Sequence, residues 1–342
     1  MQIQTQWQVT LSQPGILAYK PQEYSRPVYS SSGNTVIAGS SAGVLVAAQA
    51  RNGRLLWTRD FDDGVADGVT VDGSAVYAAG RSGMLRKLDV STGADLWSQA
   101  YDAPGAITSA PSIGAGHVAI QTNENRTYVL NASTGEYVWD KGRMRSDGLT
   151  IKGEGGATID GDVVYAGYDD GMLLAMSLSD GSTLWSRDLS GKNTQFVDVD
   201  TRPLVKGDSV YAGSYSSGYY AVGIKHGNIR WHHAAEGVNA ATLGKKVMYV
   251  ALRDQRVQAL DLVTGQLVWQ TRVGRSTVSE PVLLSSGLWV STGDGVVWMD
   301  ASKGFVRARL SPDDGQTAPI GGAGGWIHMV TNSGALVGAR VL

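Results

Sequence analysis

Along this chain short apolar runs alternate with clusters of glycine, serine, aspartate and asparagine, and one cadence recurs. It is an apolar pair, a polar turn ending in glycine, then tryptophan four residues later. The cadence reads ARNGRLLW to Trp57, LDVSTGADLW to Trp97, LNASTGEYVW to Trp139 and MSLSDGSTLW to Trp185, then VGIKHGNIRW to Trp231 and LDLVTGQLVW to Trp269. A seventh copy, MDASKGFVRA, carries Ala308 where tryptophan is expected. Upstream of each turn lie runs rich in β-branched and aromatic residues, such as NTVIAG, SAVYAAG, DVVYAG, DSVYAG and KVMYVA. Bounded by turn formers, these read as strands. The turn glycine supplies the positive φ that a three-residue hairpin loop requires.

The turn glycines, Gly53, Gly93, Gly135, Gly181, Gly227, Gly265 and Gly304, recur every 38 to 46 residues. That period is four strands plus turns, the length of one propeller blade. The second-strand run occurs eight times, ending with GLWVST and GWIHMV, but only seven turn units follow. The missing outer strand is TQWQVT at the start of the chain, with Trp7 in the tryptophan position. The expected fold is therefore all-β: an eight-bladed β-propeller of four-stranded antiparallel blades, its ring closed by the N-terminal strand joining the C-terminal blade. The expected organisation is one domain over residues 1–342, a strand near 4–10 completing the blade formed by about 317–342. The tryptophan series is expected to pack neighbouring sheets and so speaks for fold, not function.

Composition narrows the function classes. The chain has 45 Gly, 10 Trp and 14 Tyr, but only 3 Phe and no Cys. Without Cys there is no disulfide, thiol catalysis or Cys-ligated zinc. The formal net charge is −2, with no basic block, which argues against a nucleic-acid partner. No apolar run reaches the ~18 residues that span a bilayer.

Function is expected where the repeats depart from their pattern. Two connections between blades are long: from Trp139 to Val163 and from Trp185 to Val210. They flank one blade, so their extra residues are expected side by side on the face opposite the glycine turns. The first carries Leu149, Ile151, Lys152, Gly153 and Glu154; the second carries Asp198 and Asp200, then Arg202. On an extended, exposed run the two carboxylates would share one side. Apolar groups beside a few charges suit protein docking; a loop tucked over the blade edge is the alternative. No further acid or base completes a catalytic set around the aspartates. The run DVDTRPLVKGDS lacks the glycine and final glutamate of a calcium loop. The five histidines show no metal spacing and are expected at the surface or blade edges. No catalytic, metal or cofactor-binding residue is therefore expected.

The units LDVSTGADLW and LDLVTGQLVW resemble the pyrroloquinoline-quinone-type propeller repeat. True quinoprotein dehydrogenases of that type are longer, with a vicinal Cys pair and a calcium-binding axial site, so this chain looks like a non-enzymatic relative. The sharper resemblance is to the outer-membrane protein assembly factor BamB family, carried by LTIKGE (149–154) and DVDTRP (198–203) and by the C-terminal GDGVVWMDASKGFV and QTAPIGGAGG. It implies a scaffold subunit of the outer-membrane β-barrel assembly (BAM) machinery, a lipoprotein at the periplasmic face of the outer membrane. The two loops would dock onto a POTRA domain of BamA, with unfolded outer-membrane proteins as possible further partners. The implied contacts are Leu149, Ile151, Lys152, Gly153, Glu154, Asp198, Asp200 and Arg202. Ile151 and Lys152 depart from the family's Leu and Arg, and Lys152 forfeits a bidentate fork. Membrane attachment would be through a lipid anchor only, and no signal peptide or lipidated Cys is present in this chain. The rival readings are a quinoprotein-like dehydrogenase relative and a ligand- or glycan-binding propeller using exposed Tyr215, Tyr219 and Tyr220.

Overall fold

A computed structural model describes residues 3–11, 22–61, 64–144, 155–193, 195–312 and 315–341. Among them there is no helix; thirty-two strands form eight separate four-stranded antiparallel sheets. Blade 1 comprises Val28–Tyr29, Thr35–Gly39, Val44–Gln49 and Leu55–Asp60, from the axis outward. Blades 2 to 7 occupy residues 65–102, 112–142, 157–188, 204–233, 238–272 and 282–310. Blade 8 takes Gly321–Ala323, Trp326–Val330 and Ala335–Val341 from the end of the chain, and its outer strand, Ile3–Thr10, from the start. The closing ladder runs from Ile3 opposite Val341 to Thr10 opposite Ala335. The eight-bladed ring and its closure match the pattern read from the repeats.

Each core cluster lies between two neighbouring blades. Tyr165, Leu173 and Trp185 of blade 4, for instance, meet Val210, Tyr220 and Val222 of blade 5. Every sheet thus buries both faces, which is why the middle strands are continuously apolar rather than alternating. In seven of the eight blades the outer strand carries a one-residue bulge just before the tryptophan or, in blade 7, before Ala308. In blade 1 Ala47 pairs with Trp57 while Ala48 pairs with Leu55. This bulge leaves Leu55 and Leu56 exposed and turns Trp57 inward.

The tryptophans and turn glycines form one device. Trp57 Nε1 donates to the Val90 carbonyl of the next blade at 2.8 Å, and its ring lies against Gly93. Trp139, Trp185, Trp231 and Trp269 make the equivalent bond to Leu178, Ile224, Leu262 and Ala301. A Cβ on Gly93 would come within 2.7 Å of the indole, and its φ is +70°, so glycine answers both steric demands. The exception, Ala308, follows from the same geometry. In the next blade the third and fourth strands are Ala335–Val341 and Ile3–Thr10, which no hairpin joins, so no glycine turn is there to receive a tryptophan.

Candidate functional site

The connection from blade 4 to blade 5 is held to the sheets by its backbone. Val199 N donates to the Tyr168 carbonyl at 3.2 Å, Tyr215 N to the Asp198 carbonyl at 3.1 Å, and Ser214 Oγ to the Val197 carbonyl at 3.1 Å. Thr201 Oγ1 accepts from Gly213 N at 2.7 Å. Val199 is buried in the core between blades 4 and 5.

The aspartates on either side of it are not exposed, contrary to the expectation of an exposed run. Asp198 is 1% and Asp200 7% accessible, and neither lacks a partner. Burying Val199 draws its neighbours down with it, so the carboxylates sit beneath the surface. The second connection does reach the first: a Cβ on Gly155, where the blade 3–4 connection re-enters the described residues, would lie 3.4 Å from the Val199 carbonyl oxygen. Leu149, Ile151, Lys152, Gly153 and Glu154 lie outside the described residues.

Arg202 turns to the ring axis. Its Nε donates to Thr158 Oγ1 at 3.3 Å, and its side chain lines an axial chamber of about 500 Å³ together with Asp200. Two further charged residues reach the same chamber: Arg26 and Glu280, joined by a 3.3 Å ion pair. Burial pushes the Arg202 pKa below its ordinary value; Glu280 opposes that shift and Arg26 adds to it.

Beside the aspartates on the same connection, Phe196 adopts φ +52°, a left-handed conformation unfavourable for an aromatic residue. Its ring meets Tyr215 at 6.1 Å between centroids, and the Arg253 guanidinium lies 5.6 Å over Tyr215. Of these three the sequence reading singled out only Tyr215, as an exposed aromatic, and nothing in it joined Tyr215 to Phe196 or Arg253. The three axial residues were more accessible to sequence reading, because Arg26, Arg202 and Glu280 each precede a proline that opens an inner strand.

Two other expectations are corrected. Tyr219 and Tyr220 are 1% and 3% accessible, so they cannot form the exposed aromatic face of a glycan site. Tyr220 instead stacks on His232, with centroids 4.2 Å apart. His328, expected at a surface or edge, is fully buried where blade 8 meets blade 1. Its Nε2 binds the Ala50 carbonyl at 2.7 Å, so it carries the proton, and Nδ1 accepts from Tyr29 Oη at 2.7 Å. Burial pushes its pKa down to about 4. Among the described residues no three His, Asp or Glu side chains converge as a metal site would need.

A family model described as outer membrane protein assembly factor BamB matches residues 4–100 and 41–271, more than half of the chain. The chain belongs to that family. The family's protein from Yersinia pestis is 24% identical over 299 residues, covering 82% of this chain and 75% of the relative. The crystal structure of BamB from Moraxella catarrhalis superposes with a TM-score of 0.82 at 19% identity, covering 99% of this chain and all of that one. The fold is shared more widely. The quinohemoprotein alcohol dehydrogenase ADHIIG from Pseudomonas putida HK5 gives a TM-score of 0.80 at 12% identity, covering 99% of this chain and 76% of that one. At that identity the likeness shows the fold alone.

Proposed function

We propose that this chain is a non-catalytic scaffold of the outer-membrane β-barrel assembly machinery. It acts as a single propeller domain at the periplasmic face of the outer membrane, held there by a lipid anchor. It docks onto a POTRA domain of BamA through the connections at 149–154 and 196–200. The observation that carries this reading is the anchoring of the second connection: buried Val199 and the backbone bonds at Asp198 pin it beside Gly155, at the end of the first. That anchoring supports the reading that the two motif-bearing connections contribute to one surface, and a pre-ordered loop loses little entropy on binding.

In this reading Leu149 and Ile151 supply the apolar contact, and Lys152 and Glu154 supply the charges that set register. Asp198 and Asp200 act from below, shaping the loop that the partner meets. Arg202, directed to the axis, takes no part in the contact.

Titration with the POTRA repeats of the cognate BamA tests the proposal. Ile151→Asp combined with Lys152→Glu is expected to abolish binding with the melting temperature unchanged. Asp198→Asn combined with Asp200→Asn is expected to weaken binding and lower the melting temperature together. Wild-type binding by the first variant would remove the docking assignment.

A further inference from the structure

Five of the eight inner strands are entered through the same three positions: serine or threonine, a variable residue, then proline. They are Ser25–Pro27, Ser109–Pro111, Thr201–Pro203, Ser279–Pro281 and Thr317–Pro319. In three of them the hydroxyl accepts a hydrogen bond from the second strand of its own blade. The donors are Gly39 N to Ser25 at 3.2 Å, Gly213 N to Thr201 at 2.7 Å and Ser291 N to Ser279 at 3.0 Å. The bond and the proline's fixed φ hold the variable residue in one orientation. In blades 1, 5 and 7 that residue is Arg26, Arg202 and Glu280, and all three line the axial chamber.

We propose that this chamber binds a small organic carboxylate, gripped by the Arg202 guanidinium beside the Arg26–Glu280 pair, with its apolar body against Val28, Val69, Val71 and Leu204. Two guanidiniums face one carboxylate at these three equivalent positions, and Glu280 is already paired with Arg26. Asp200, on the same wall, has its own partner. Among the described residues the only hydrogen bond made by the Arg202 guanidinium is the long one to Thr158. A half-buried cation with spare donors favours an added anion, and the planar fork matches a carboxylate. Two neighbouring donors are spent elsewhere: Thr70 Oγ1 donates to the Pro111 carbonyl at 2.7 Å and Asn239 Nδ2 to the Val278 carbonyl at 2.9 Å. The volume of about 500 Å³ suits a ligand of modest size.

The test is calorimetric titration of the whole chain, without any partner protein, with isophthalate and with its neutral analogue isophthalamide. Isophthalate is expected to bind and isophthalamide not. Arg202→Met is expected to weaken isophthalate roughly tenfold or more, the loss of a charge-assisted hydrogen bond. Glu280→Gln, which leaves both guanidiniums uncompensated, is expected to tighten it. No binding of isophthalate at millimolar concentration, equal binding of both compounds, or weaker binding by Glu280→Gln would overturn the proposal. The outcome is independent of the docking surface, which this titration does not engage.

Discussion

Trp7 lies against Gly53 so closely that a Cβ at residue 53 would stand 2.5 Å from the indole ring. The two residues belong to different blades, and Trp7 comes from the strand that closes the ring. Its Nε1 donates to the Ala50 carbonyl at 3.1 Å, as the other tryptophans do to their neighbours. Trp7→Ala should therefore destabilise the protein by about 2 kcal/mol or more, chiefly through lost packing, since the Ala50 carbonyl keeps its bond from His328 Nε2. Gly53→Ala should act in the same direction, since φ there is +72°. Denaturant midpoints of both variants against wild type check this.

Ala308 marks where that device is not needed. Ala308→Trp is expected to give no gain in melting temperature, because no glycine turn exists in blade 8 to cover the ring. Trp139→Ala, at a position where the turn exists, should lower stability by about 3 kcal/mol. A stabilised Ala308→Trp protein would show that the tryptophan needs no such turn.

His328 makes stability depend on pH. Its folded pKa of about 4 lies below the value near 6.5 of the unfolded chain, so the fold favours the neutral ring. The stabilisation is complete above pH ~6.5 and is lost as pH falls towards ~4, because the unfolded chain takes up the proton first. The loss over that window is roughly 3 kcal/mol. Urea midpoints from pH 7 to 4 should fall in wild type, and the fall should be smaller in His328→Gln.

Phe196 holds a left-handed backbone conformation beside the connection assigned to docking. Phe196→Gly relieves roughly 1 kcal/mol of strain and forfeits a ring contact with Tyr215 of similar size. The melting temperature should move little. If the strain serves to present the ring to the partner, affinity for the POTRA repeats should fall about tenfold. An unchanged affinity would confine Phe196 to shaping the loop.

The sequence by itself determined the blade number, the turns, the closing strand and the length of the two unusual connections. These are local properties: an apolar run bounded by turn formers, a positive-φ glycine and a tryptophan four residues on each act within a few residues, and the ring repeats them. What only the tertiary structure decided are the surroundings of particular side chains. Asp198 and Asp200 looked exposed, because alternation within a connection does not say which neighbour is drawn into a core. Burial of Val199 between two sheets took both carboxylates below the surface. Arg26 and Glu280 stand 254 residues apart in the chain yet touch at the axis, where closing the ring brings the inner strands together. Such convergence depends on every blade being in place, so no window of sequence contains it.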